Sequence, residues 1–190
     1  MRNTKLSILL LALTAISAIT PFLVECFRNE RASGEMQDAI KSHDIDKVSS
    51  IISAHPRCVN VKKDLSPYWL ILISQAPSPT YSLQAAARHH DFEIIQLLLN
   101  SGADVNAAGR FGDSSKTPLI MNAASKCDDR ELVYRIAVLL LKYGADKKHT
   151  DFKGKTAYDY AIEYGDERLA ELLKPIENVI RSIEAIVSTC

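Results

Sequence analysis

Residues 81–106 read YSLQAAARHHDFEIIQLLLNSGADVN, and residues 117–146 read TPLIMNAASKCDDRELVYRIAVLLLKYGAD. Laid over one another, the two lines share the phrase L-L-L-x-x-G-A-D, at Leu97–Asp104 and again at Leu139–Asp146. A third copy, TAYDYAIEYGDERLAELL, fills residues 156–173, and a weaker one, GEMQDAIKSHDIDKVSSII, fills 34–52. Self-similarity at this spacing is the mark of a stacked-repeat architecture and outranks any reading of single segments.

The residues explain the unit. Thr117 before Pro118 starts a helix, because Thr caps free amides and Pro suits the first turn. Ala86, Ala87, Ala123 and Ala124 are small enough for short helices to approach closely. Ile94, Ile95, Leu97, Leu98 and Leu99 cover more than one side of the next helix, so it must be buried between neighbours. Gly102 and Gly144 stand just past those helices, where a left-handed residue ends a helix at low cost. Asp151 to Gly154, like Gly109 to Gly112, reads as an exposed turn. Each unit is helix, tight turn, helix and projecting hairpin. No unit buries its apolar surface alone, so stacking is obligatory.

With its T-P-L opening, Ala pair, Leu triplet and G-A-D-V-N ending, this pattern resembles the ankyrin repeat over about residues 34–173. The resemblance implies an all-α ankyrin-repeat solenoid of about four helix-turn-helix repeats with β-hairpin-like connections. It implies repeats over 34–174, an insertion at 66–79 and a C-terminal capping helix over 175–190. The insertion reads PYWLILISQAPSP from Pro67 and holds the single Trp. Ser66-Pro67 can also open a repeat helix of its own, so both readings stand. The third repeat is six residues longer than the second between its opening and its Gly, with Lys126 to Arg130 as the expected bulge. Beyond Pro175, Ile176, Val179, Ile180, Ile183, Ile186 and Val187 form one helical stripe, which suits an end cap that hides the last apolar face, or a helix that binds a partner.

Composition limits the alternatives. The 190 residues carry 23 Lys plus Arg against 23 Asp plus Glu, 47% hydrophobic and 24% charged residues. That balance excludes a disordered chain and gives no clustered basic face for nucleic acid. The N-terminus is a separate matter. Arg2 and Lys5 precede an uncharged run from Leu6 to Val24, broken at Pro21. Residues 1–25 fit a secretory signal peptide or a single membrane anchor, with 26–33 as linker. Leu23-Val24-Glu25-Cys26 is similar to a bacterial lipoprotein processing site, which makes Cys26 the candidate for lipidation. Glu25 departs from that pattern, which has a small residue before the cysteine. These readings place the globular part in the periplasm, possessing a membrane contact only through this segment or a lipid. A start at Met36 would instead give a cytoplasmic form, although Met36 also suits the apolar face of the first helix.

Catalytic signatures are missing from the sequence: it has no G-x-S-x-G, H-E-x-x-H, P-loop or G-x-G-x-x-G. His89 and His90 stand adjacent, and adjacent histidines on a helix point about 100° apart, which disfavours a shared metal ion. A haem or metal enzyme would have to use them; the expectation is no catalytic residue, no metal and no cofactor. Cys127 reads as a surface thiol, and Tyr158 and Tyr160 as packing residues. The resemblance implies a protein-binding face made of hairpin tips and inner-helix ends. By position these are Arg110, Phe111 and Lys116 on one tip, Phe152, Lys153 and Lys155 on the next, and Arg88, His89, Glu163 and Tyr164 at helix ends. Tyr68 and Trp69 of the insertion are a second candidate contact. An ankyrin stack behind an export signal resembles the exported ankyrin-repeat immunity proteins of Gram-negative bacteria, which guard against lipase effectors of type VI secretion. That resemblance implies a cognate lipase as partner, with the chain monomeric alone and in a one-to-one complex with it. The competing expectation is an envelope-tethered scaffold for a resident protein.

Overall fold

The computed structural model describes residues 31–60, 81–109, 115–125 and 127–175. Among these residues the chain is helical, without strands. Helix α1 covers residues 31–41, α2 Ile45–Ala54, α3 Ser82–His89, α4 Phe92–Asn100, α5 Pro118–Ala123, α6 Arg130–Lys142, α7 Ala157–Glu163 and α8 Glu167–Leu173. A 3-10 turn, Pro56–Asn60, follows α2. Consecutive helices pair as α3 with α4, α5 with α6 and α7 with α8. The first members of these pairs stack in one layer, α3 on α5 on α7. The second members form another layer, α2 on α4 on α6 on α8. The solenoid expected from the repeats is the observed architecture.

The second-layer helices all start in the same way. Asp44, Asp91, Asp129 and Asp166 are their N-caps, and each carboxylate accepts from the backbone N–H three residues on, at 2.9–3.0 Å. An N-cap side chain satisfies amides that the helix leaves orphaned. In three of the four the residue before the cap is left-handed: His43 and His90 at φ 55° and Gly165 at φ 67°. In the first layer the caps vary. Thr117 and Thr156 accept from Ile120 and Asp159 N–H groups. Tyr81 stands at the corresponding place in α3, where Gln84 Oε1 accepts from Tyr81 N–H at 3.0 Å instead. The Gln84 amide also donates to the carbonyls of Ala107 and Lys116, tying α3 to the chain that enters the next repeat.

Apolar stacking does the bulk of the work. Leu83, Ile94, Ile95, Leu98, Leu119, Ile120, Ile136, Leu140, Leu169 and Leu173 are fully buried and belong to one continuous core with Met36 and Ile40. Each such side chain contributes about 1.5–3 kcal/mol by leaving water. Polar rungs set the register of one repeat on the next. Asn60 donates to the Gly102 carbonyl at 2.9 Å and accepts from Asp104 N–H at 2.8 Å. Asn106 does the same one repeat later, to Gly144 at 3.1 Å and from Asp146 at 2.8 Å. On the outer layer the Arg135 guanidinium lies 4.7 Å from the Phe92 ring centre, and that of Arg168 3.9 Å from the Tyr134 ring centre.

Two boundaries differ from the sequence expectation. Residues 31–33, read as linker, are the start of α1; Ala32 and Ser33 are buried, so the core holds them in the helix. The extra length of the third repeat is not confined to a bulge. Helix α6 has 13 residues where α4 has 9, so a further turn of helix absorbs four, and Arg130 is its first residue. The signal or anchor at 1–25, the insertion at 66–79 and the capping stripe beyond Pro175 lie outside the described residues. No helix among the described residues is long and apolar enough to cross a membrane.

Replacing Asn106 by Ala removes both hydrogen bonds of a rung and leaves the Asp146 N–H to solvent. At about 0.5–1.5 kcal/mol for each net bond, the substitution should cost roughly 1–3 kcal/mol in urea unfolding. The Asn60→Ala variant should lose a similar amount, because it breaks the equivalent rung.

Candidate functional site

The connection between α6 and α7 carries the most organised polar cluster among the described residues. Asp151 lies at its root and is buried. One carboxylate oxygen accepts from the Lys153 N–H at 2.8 Å and the Lys155 N–H at 3.1 Å. The other accepts from the Tyr160 hydroxyl at 2.7 Å. The Asp151 backbone donates to the Lys155 carbonyl at 2.9 Å and accepts from Gly154 N–H at 2.9 Å. The turn is therefore closed on itself, and Gly154 takes φ +73° at its tip. Ser115, from the preceding repeat, accepts from Phe152 N–H at 2.9 Å and clamps the turn to its neighbour. Asp151 was expected at the exposed start of a turn. It is instead the turn's buried anchor, because three donors converge on its carboxylate.

Around this anchor the predicted residues gather. Phe152 is 55% exposed, and the Lys153 ammonium lies 5.6 Å from the centre of its ring. The ammoniums of Lys116 and Lys155 approach the Tyr160 ring to 5.3 and 5.4 Å. Lys155 also reaches along α7 to the Glu163 carboxylate at 2.8 Å. Tyr164 stacks on Tyr160, with ring centres 6.4 Å apart. Lys116, Phe152, Lys153, Lys155, Glu163 and Tyr164 thus form one patch, supported by Asp151 and Tyr160. Sequence reading gave Tyr160 only a packing role. No pattern in the sequence marks the bond from its hydroxyl to Asp151, 9 residues earlier.

Electrostatics follow from this geometry. Burial pushes the Asp151 carboxyl up, but the hydrogen bonds from Tyr160, Lys155 and Lys153, with the Lys116 charge, outweigh it and hold the group below its ordinary value. Burial, then the hydrogen bond to the Asp151 carboxylate, pushes the Tyr160 phenol well above its ordinary range. The hydrogen bond to Glu163 raises the Lys155 ammonium.

Arg88 and His89 sit elsewhere, exposed at the C-terminal end of α3. His89 meets the His43 ring edge to face at 6.1 Å, and His43 Nδ1 is 2.9 Å from the Asp91 carboxylate. Burial first, then the neighbouring charges of His43, Arg88 and Lys41, hold His89 below its ordinary pKa. His90 is the left-handed turn residue and bonds through Nε2 to the Ser125 hydroxyl. Burial lowers its pKa as well. The position therefore gives His90 a turn-forming role, and no group of three or more metal-ligating side chains converges among the described residues. Cys127 is partly exposed, and its thiol is 3.8 Å from the Asp129 carbonyl. Arg110, Phe111, Tyr68, Trp69 and Cys26 lie outside the described residues.

A family model described as ankyrin repeats in three copies matches residues 83–181. No curated protein matches the chain.

The Asp151→Ala variant should lose about 2–4 kcal/mol in urea unfolding, since three hydrogen bonds vanish and the Tyr160 hydroxyl is left without its acceptor. The pH dependence has a definite sign. The folded carboxyl has a lower pKa than the unfolded one, so its contribution is complete above the ordinary value of about 3.8 and is lost as pH falls through the folded value. Stability measured from pH 6 down to 2 should therefore fall less steeply in Asp151→Asn than in the natural chain.

Proposed function

The chain belongs to the ankyrin-repeat family and is a protein-binding module; from that premise we propose that it is an immunity protein which neutralises a secreted phospholipase or lipase effector in the periplasm. The observation that carries a binding role is the patch on the last hairpin. A half-exposed Phe152 with the Lys153 ammonium over its ring, and Lys155 in the same turn, combines an aromatic anchor with cations on a turn already fixed by Asp151 and Ser115. Preorganised aromatic side chains lose little conformational entropy on binding and dominate interface energetics. Inhibition would be steric: the patch and the adjoining inner-helix ends cover the effector's catalytic face, and the chain performs no reaction.

The periplasmic setting is supported by sequence. Residues 1–25 have the layout of an export signal, and Cys26 follows the apolar run at the place where lipoproteins are acylated. A lipid on Cys26 would hold the inhibitor at the membrane that a phospholipase attacks, raising its local concentration there. The same binding face on a resident envelope protein would make the chain a scaffold, which the test below separates from a guard.

The test is co-expression with secreted lipases, starting with any encoded by a neighbouring gene, followed by purification and phospholipid hydrolysis. A one-to-one complex of nanomolar affinity with hydrolysis abolished is expected. Capture of a resident envelope protein with hydrolysis untouched would make the chain a scaffold instead. The double charge reversal Lys153→Glu, Lys155→Glu should weaken the complex about tenfold or more, roughly 1.4 kcal/mol. An unchanged Kd would remove this hairpin from the interface.

A further inference from the structure

The last hairpin and α7 together hold three carboxylates, and two of them are committed to the backbone. Asp151 is buried and closes the turn. Asp159 forms the capping box of α7, accepting from the Thr156 N–H and hydroxyl at 2.7 Å each. Glu163 differs. Its carboxylate meets Lys155 in an ion pair whose side chains are 47% and 40% exposed. An exposed pair of this kind is weak, because water screens it and two long side chains must be held still. Lys155 stands just before the α7 N-cap and Glu163 is the last residue of α7, and the pair spans the Tyr160 ring that both Lys155 and Lys116 approach. The arrangement is an ammonium, on an aromatic ring, with a movable carboxylate resting on it, beside an exposed phenylalanine.

We propose that Glu163 is an internal placeholder for a carboxylate of the bound protein: an acidic side chain of the partner displaces Glu163 from Lys155, while an apolar side chain beside it packs on Phe152. The partner therefore presents an acidic, aromatic-tolerant surface to this hairpin. The exchange favours the partner because an interface excludes water from the new pair, and the same charges attract more strongly where water is excluded. Asp151 and Asp159 cannot perform this exchange without undoing a turn or a helix cap. This inference rests on the hairpin being the binding surface proposed above and adds the chemistry of what it binds.

Two probes test it with the full chain. One is a fluorescein-labelled Glu-Glu-Phe-Glu-Glu peptide with its Lys-Lys-Phe-Lys-Lys counterpart; the other is vesicles containing phosphatidylglycerol. The acidic peptide should bind, lose affinity as NaCl rises, and lose most of it in Lys155→Met. The Glu163→Gln variant should bind it about threefold to tenfold more tightly, with its melting temperature unchanged within about 2 °C, since removing a weak surface pair costs little and removes a competitor. Equal binding of the basic peptide, absence of acidic-peptide binding, or preference for the vesicles would overturn the proposal. So would an affinity in Glu163→Gln that is unchanged or weaker. The two readings fail separately. A captured partner that is lost on Phe152→Ala but indifferent to Glu163→Gln leaves the hairpin as binding surface and removes the placeholder. A partner indifferent to Phe152→Ala and to the double charge reversal removes the surface itself.

Discussion

Each repeat is too small to hide its own apolar surface, and the rest of the structure depends on that. A pair of helices of 6 to 13 residues leaves Leu and Ile side chains on two faces, and only a neighbour above and below can cover them. Burial by stacking is non-directional, however, and would tolerate sliding of one repeat on another. The Asn60 and Asn106 side chains remove that freedom. Each one grips a carbonyl and an N–H of the following repeat, and both partners sit at the Gly-Ala-Asp segment where the second-layer helix has just ended. Apolar stacking supplies the stability, and one asparagine amide with two hydrogen bonds at each of these boundaries supplies the register.

Register matters because the hairpin is built across a boundary. Phe152 is presented by a turn whose N–H groups point at Asp151 and at Ser115, and Ser115 belongs to the repeat before. Were the repeats to slide, Ser115 would lose Phe152 and the turn would lose a support. The Tyr160 hydroxyl adds a second support from α7, within the same repeat. A surface connection is usually mobile; here backbone hydrogen bonds to a buried carboxylate fix the turn to the stack.

Much of this was legible. Gly102 and Gly144 declared helix ends, Thr117-Pro118 declared a helix start, and the Leu triplets declared buried helices, because each reports a local backbone or packing demand. The row of Asp44, Asp91, Asp129 and Asp166 was equally readable, since each stands three residues before an amide it caps, yet its regularity emerges only when the four helices are superposed. Position in the repeat places Lys116, Phe152, Lys153, Lys155, Glu163 and Tyr164 near one another, and the structure brings them together. Their supports were not legible: a buried Asp in a turn of Asp-Phe-Lys-Gly looks like a solvated turn residue until the Tyr160 hydroxyl, nine residues on, is known to reach it. Side chain to side chain contacts across a turn leave no period in the sequence. The six-residue excess of the third repeat was misplaced for a related reason, because an added turn of helix and a bulge have the same length.

The two histidine positions show why repeat position and chemistry must be weighed together. His89 and His90 are adjacent and basic, and taken alone they invite a ligand. In the stack His90 occupies the left-handed corner where Gly165 stands in the last repeat and His43 in the first. A His there costs more backbone strain than Gly, about 1 kcal/mol by the general preference for glycine at positive φ. The structure shows what offsets it: His90 bonds to Ser125 in the next repeat, and His43 bonds to Asp91 in the next repeat. Glycine could turn the chain at either corner but could not reach across to the neighbour. These histidines are therefore part of what joins one repeat to the next, whereas the side chains of Lys155, Glu163 and Phe152 make no bond to a neighbouring repeat among the described residues.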